Sequence, residues 1–211
     1  MHRARQHATT QTRERRHRLA HEAARLMAEG GFRDYHQAKR KAAERLGIHD
    51  DASLPRNSEI EEALREQQRL FAGPQQDTAL RLRREAALQA LEFLQAFAPR
   101  LVGPVLEGTA DATSPVQLHL HTDAPDDVQH FLEQQRIPAE SRARRLRMDR
   151  ERTLDVTVWV FVADGLVFDL AVLPYDTLRQ APLSPVNEKP MRRASASQLR
   201  QLLDAGDGAG P

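Results

Sequence analysis

The sequence predicts an α+β protein, with a helical N-terminal region followed by an α/β domain built on a short mixed β-sheet with flanking helices. Three observations carry that prediction. Apolar residues keep helical spacing from Leu19 to Phe97, and after Pro99 the period shortens towards two. An Asp164-Gly165 pair then joins two apolar runs of strand length, the signal of a tight hairpin.

The elements follow in order. Residues 1–11 are basic and without periodicity and are expected to form a flexible arm, ahead of a helical region over 12–73. Leu19, Ala23 and Leu26-Met27 mark a first helix, which Gly30-Gly31 should stop. A second helix fits Asp34 to Leu46, ended by Gly47, and residues 50–55 read as loop. Ser58 and Glu61 have the spacing of a capping box and predict a third helix to about Phe71. The longest helix is expected from Asp77 to just before Pro99, with Leu80, Ala87, Leu88, Leu91, Leu94 and Phe97 as its buried stripe.

The α/β domain is placed at 77–204. Leu101 to Gly108 reads as a short apolar strand. Along Val116 to Thr122 the residues alternate, so Val116, Leu118 and Leu120 face one way and Gln117, His119 and His121 the other. Pro125 with Asp126 and Asp127 opens a helix to about Arg136, because proline and acids suit the first turn. The Arg-rich stretch SRARRLRMDRER is expected to be an edge strand. Thr153 to Val162 and Leu166 to Pro174 form the hairpin, and a last helix lies near Ser197 to Leu203. Residues 205–211 are expected to be a flexible tail.

Composition excludes several classes. The 211 residues are 40% hydrophobic and 29% charged, ordinary values for a chain with a real core. A net charge of +1 gives no global attraction to nucleic acid or anionic lipid, and the lack of cysteine removes disulfides, thiolate metal sites and a cysteine nucleophile. The opening MHRARQHATTQTRERRHR develops no apolar stretch, so no secretory signal is expected. No apolar run reaches the roughly 20 residues needed to span a bilayer, so no membrane partner is expected and the cytoplasm is the expected compartment. Walker loop, dinucleotide fingerprint, Gly-x-Ser-x-Gly, His-Glu-x-x-His and EF-hand patterns do not occur.

The order helix, strand, Gly-Thr loop, alternating strand, helix, then a hairpin bearing one acid resembles the polymerase-β-type nucleotidyltransferase superfamily over Asp77 to Pro174. Across its length the chain also resembles proteobacterial proteins, some of which carry that label. The resemblance implies a turn touching nucleotide phosphates, a strand bearing two paired acids, and a third carboxylate on a neighbouring strand. Together the three acids would hold two Mg²⁺ ions that activate an attacking hydroxyl. In VLEGTADATSPVQLHL, Gly108-Thr109 stands where the family has Gly-Ser, and Asp169 in LVFDLAVLP stands for the third carboxylate. The paired acids are missing. Pro115 and Gln117 occupy their positions, or His119 and His121 in a slipped register. A hard Mg²⁺ ion wants carboxylate oxygens, so ordinary nucleotidyl transfer is not expected.

The expected function is therefore that of a degenerate nucleotidyltransferase-like protein that binds a nucleotide or phosphate ligand or acts in regulation. Gly108, Thr109, Gln117, His119 and Asp169 would line its cleft. An active transferase with atypical ligands is the alternative. It would use Mg²⁺ or another divalent metal held by Asp169 with His119 or His121, whose side chains share a strand face about 7 Å apart. Glu107 and Asp123 are the further ligands that such a site would recruit. A third reading is an RNA-binding or ribosome-associated module using Arg142, Arg144, Arg145 and Arg147, although no aromatic residue interleaves them for base stacking. An arginine of the 142–152 stretch is also the expected structural partner of Asp169, and an Asp169→Ala variant is expected to fold normally. The helices between Leu19 and Phe71 are a candidate partner-docking module, decorated by Lys39-Arg40-Lys41.

Overall fold

The structure, a computed structural model, describes residues 2–29, 32, 34–48, 50–71 and 74–207. The chain divides into two compact units, one of residues 1–73 with 185–187 and one of residues 74–184 with 188–211. Among the described residues no helix is long and apolar enough to cross a membrane.

Among the described residues the first unit holds three α-helices: α1 (His2–Ala28), α2 (Tyr35–Leu46) and α3 (Asn57–Phe71). The helix takes in the stretch expected to be an irregular arm, beginning at His2 rather than after residue 11. Arginine, glutamine, alanine and histidine there contain no breaker, so nothing interrupts propagation of the helix. Glycines 30, 31 and 73 lie outside the described residues. Asp34 caps α2 by accepting from the Gln37 amide at 2.9 Å, and Gly47 ends it at φ 62°, the stop that the sequence predicts. The cap of α3 differs. Glu59, not Glu61, reaches back to the Arg56 amide at 2.6 Å, while Glu61 is buried and accepts from the Tyr35 hydroxyl, also at 2.6 Å. The core joins Leu19, Ala23 and Ala24 of α1, Ala38 and Ala42 of α2, and Ile60 and Leu64 of α3. Alanine at most of the contacts lets the helix backbones approach closely.

The second unit opens with α4 (Pro74–Phe93), three residues earlier than the expected Asp77, because proline fits the first turn of a helix. A single 3₁₀ turn (Gln95–Phe97) leads into β1 (Arg100–Val102). The expected strand over 101–108 stops there. Gly103 turns at φ 72° and Pro104 starts a short helix, α5 (Gly103–Glu107). Then follow β2 (Val116–His121), α6 (Pro125–Gln134), β3 (Glu140–Arg147), β4 (Thr153–Ala163), β5 (Leu166–Leu173) and α7 (Ala196–Asp207). The last helix extends into the expected tail, of which 208–211 lie outside the described residues.

The five strands form one mixed sheet in the order β1-β2-β5-β4-β3. Only β2 and β5 run parallel, with Val116 opposite Phe168 and His121 opposite Leu173. The Arg-rich strand is an edge, as expected, and Asp164 and Gly165 at φ 50° and 74° make the tight β4–β5 turn. Leu91 and Leu94, Val128 and Leu132 of α6, and Leu199 of α7 pack with Leu118, Leu120, Phe168 and Leu170 on one face of the sheet. The opposite face carries Val156, Val158, Ala171 and Leu173 as a smaller core. After β5 the chain returns to both edges of the sheet. The Leu183 amide donates to the Arg147 carbonyl, and Ala194 pairs with Leu101.

Candidate functional site

Strand alternation puts the chemistry on the face away from the large core. Phe168 and Leu170 pack into that core, so Asp169 between them faces the other way with Ala171 and Leu173. Asp169 lies opposite Gln117 of β2 on one side and Val160 of β4 on the other. Its neighbours on this face are therefore a neutral amide and apolar groups. Arg144 of β3 supplies the missing charge. One guanidinium nitrogen donates to Asp169 Oδ1 at 2.9 Å and the other donates to Oδ2, a bidentate pair in which the carboxylate is 7% exposed.

Gln117 is placed as tightly. A Cβ added at Gly103 would collide with Gln117 Oε1, so the Gln117 amide lies in the space that a side chain at residue 103 would fill.

His119 and His121 follow Gln117 on the same face. The sequence suggests a polar, partly solvated surface there, but both are buried, at 3% and 1% exposure. His121 Nδ1 lies 2.9 Å from the Ala98 carbonyl, which can only accept, so Nδ1 carries the proton and Nε2 is a lone pair in the neutral ring. Among the described residues, His119 Nδ1 and His121 Nε2 are buried without a hydrogen-bond partner. Burial, then His121 and the Arg193 and Arg144 guanidiniums, pushes His119 down to about 3. Burial also takes His121 down to about 4, with the Ala98 bond opposing and Arg193 and Arg100 assisting. Both rings are neutral near pH 7.

Gly108 and Thr109 are not a phosphate cradle. Gly108 closes α5 in the left-handed conformation at φ 80°, and the Thr109 amide already donates to the Pro104 carbonyl at 2.9 Å. A helix C-terminus presents carbonyl oxygens and partial negative charge, the wrong sign for phosphate. Glycine after an apolar stretch signals both a phosphate turn and a helix stop, and here Pro104 has made the preceding residues helical.

The metal candidates do not assemble either. Among the described residues no group of three or more His, Asp or Glu converges to hold a metal ion. Both Asp169 oxygens are taken by a guanidinium, whose charge would oppose a cation. Glu107 pairs with Arg192 at 3.0 Å, and Asp123 accepts from the Tyr175 amide at 3.0 Å.

The Arg-rich strip is likewise internally neutralised. Arg144 holds Asp169, Arg145 holds Asp155 at 2.7 Å, and Arg147 reaches Glu188 at 2.9 Å. Arg142 lies 3.4 Å from Glu140. Strand alternation also sends Arg142 and Arg144 to one face and Arg145 and Arg147 to the other, so the four make no single basic surface.

Three arginines matter here that the motifs do not single out. Arg83 is 5% exposed and donates to the carbonyls of Ala79, Ala112 and Ser114, fixing the loop into β2. Its position on the stripe between Leu80 and Ala87 was the available signal. Arg100 stands directly opposite His119 in the β1–β2 register. Arg193 donates to the carbonyls of Thr177 and Leu178 at 2.8 and 2.9 Å. The last two come into view only once β1 is paired antiparallel to β2 and residue 194 is laid along β1. No protein-family model, curated protein or solved structure matches this chain.

Proposed function

We propose that this chain is a nucleotidyltransferase-like protein that binds a phosphate-bearing ligand, a nucleotide being the first candidate, and does not carry out metal-dependent nucleotidyl transfer. The Asp169–Arg144 pair carries this reading. The resemblance puts the third metal-binding carboxylate at Asp169, and here that carboxylate is neutralised by an arginine of the same sheet. Gln117, opposite Asp169, is a neutral amide in the position of an acid. A two-metal centre needs several carboxylate oxygens free to coordinate, and this corner offers none. The cationic groups of this face, Arg100 and Arg193, suit an anion better than a cation.

The test pairs binding with turnover. Each nucleoside triphosphate is added to the full chain with Mg²⁺, Mn²⁺ or Zn²⁺, and the melting temperature is followed alongside transfer of a labelled nucleotide. A ligand at 100 times its Kd stabilises by about 2.7 kcal/mol, a shift of several degrees. The expected outcome is a shift with at least one nucleotide and no transfer product. Metal-dependent transfer would sink the reading in favour of an active enzyme with atypical ligands. Flat melting curves throughout would sink it in favour of a partner-binding scaffold.

A further inference from the structure

Ala194 pairs with Leu101, and both belong to the large core. Their chain neighbours Arg193 and Arg100 therefore point to the opposite face, where Arg100 stands across from His119 and His121 lies two residues further along β2. Arg100 bonds only to the adjacent Pro99 carbonyl and Arg193 to two carbonyls, and neither has a carboxylate partner among the described residues. Burial and then the nearby Arg100 guanidinium disfavour charge on Arg193. Asp169, facing the same way, is committed to Arg144. This cluster therefore holds like charges together without a counter-ion, beside two buried imidazole nitrogens that lack partners. Both features carry a cost, and one oxyanion that keeps a proton to donate relieves both.

We infer that Arg100, Arg193, His119 and His121 form a binding site for a phosphate-class oxyanion that still carries a proton. The half-exposed arginines hold the charged oxygens, since guanidinium forks match oxyanion geometry. The histidines form the floor. His121 Nε2, a lone pair because Nδ1 is given to Ala98, accepts the hydrogen bond of the ligand's P–O–H. That choice separates phosphate from sulfate, which has the same shape and no proton near neutral pH. The inference names the site for the ligand-binding reading above and rests on it.

The experiment is a titration of the full chain at pH 7 and fixed ionic strength with inorganic phosphate, with sulfate and with chloride. Melting temperature and the imidazole NMR signals of His119 and His121 are followed together. Phosphate is expected to raise the melting temperature by several degrees and to move the His121 signals, with sulfate doing clearly less. In Arg100→Gln, whose lost side chain makes no long-range hydrogen bond, phosphate should bind about tenfold more weakly or worse. Equal response to sulfate and phosphate, unmoved imidazole signals, or unchanged binding in Arg100→Gln would each overturn the site. A nucleotide arm separates the two readings. Nucleotide binding that survives Arg100→Gln leaves the proposed function standing without this site. Binding of inorganic phosphate with no response to any nucleotide leaves the site standing and removes the nucleotide.

Discussion

Arg144 and Asp169 sit on strands that are not neighbours: β4 lies between them, and the arginine spans it to hold both oxygens of the carboxylate. The pair ties the Arg-rich edge strand to the centre of the sheet. Removing the arginine leaves a buried carboxylate uncompensated, so Arg144→Gln should cost about 2–3 kcal/mol, less than a fully dry pair because Arg144 keeps solvent contact. Asp169→Ala, expected from the sequence to fold normally, should also destabilise, by about 1–2 kcal/mol. The double variant should cost less than the sum of the singles in urea unfolding. Strict additivity would show that the pair is not coupled.

Gly103 gives a second test. Gly103→Ala adds a Cβ into Gln117 Oε1 at a backbone φ of 72°, whereas Gly47→Ala, at φ 62°, meets nothing. Both pay the left-handed penalty of about 1 kcal/mol, and only Gly103→Ala should cost clearly more. Adding Gln117→Ala should recover part of the excess. Equal costs at the two glycines would show that the Gln117 amide swings clear at little cost.

Stability should fall in mild acid. The folded-state values of His119 and His121, about 3 and about 4, lie below the usual 6.5, so the unfolded chain binds more protons across the interval between. Their contribution is complete above pH 6.5 and is lost as pH drops towards 4. Each group gives a slope of up to about 1.4 kcal/mol per pH unit, so the two together lose about 3–4 kcal/mol by pH 5. Of the charged groups facing them, Arg100, Arg144 and Arg193 act in the same direction, and Asp169 is held by Arg144. His119→Leu should roughly halve the slope in chloride buffer, and an unchanged slope would mean that the histidines titrate as exposed groups.

Arg83 should behave as a structural clamp. Its guanidinium serves three carbonyls at once, which a lysine cannot reproduce. Both Arg83→Lys and Arg83→Met should lower stability by about 2–4 kcal/mol, by loosening the loop before β2. Full stability in the lysine variant would show that charge alone suffices there.

The paired state of the Arg-rich strand predicts weak RNA binding. Because Arg142, Arg145 and Arg147 each have an acid at hand, Arg→Gln changes at all three should barely alter the affinity for single-stranded RNA or its salt dependence. A slope that falls by about one per arginine removed would restore the RNA reading.

Period and punctuation made most of the fold legible. The β4–β5 hairpin followed from alternating valines and Asp-Gly, and α2 from Asp34 and Gly47. Misreadings fell where a local signal has two meanings. The Gly103-Pro104 break was hidden inside an apolar run, so a strand was expected where the chain turns into α5. Ser58 and Glu61 had the right spacing for a cap, but burial beside Tyr35 claimed Glu61. At the candidate site, an arginine partner for Asp169 was foreseeable from charge complementarity. Arg100 and Arg193 were not, because only tertiary pairing brings residues 100, 119 and 193 to one face.

The parallel pairing of β2 with β5 sets the order in which the α/β unit can be assembled. Strands β3, β4 and β5 are consecutive antiparallel neighbours and can zip through short connections, while β2 must await a partner that is made much later in the chain. During synthesis the β1–β2 pair therefore emerges with its inner edge uncovered, its backbone N–H and C=O groups unpaired until β5 leaves the ribosome. Closing that seam is a non-local step, as is the pairing of Ala194 with Leu101. The β2–β5 pairing is what first brings Gln117 beside Asp169, so this part of the candidate site forms only once β5 has been made.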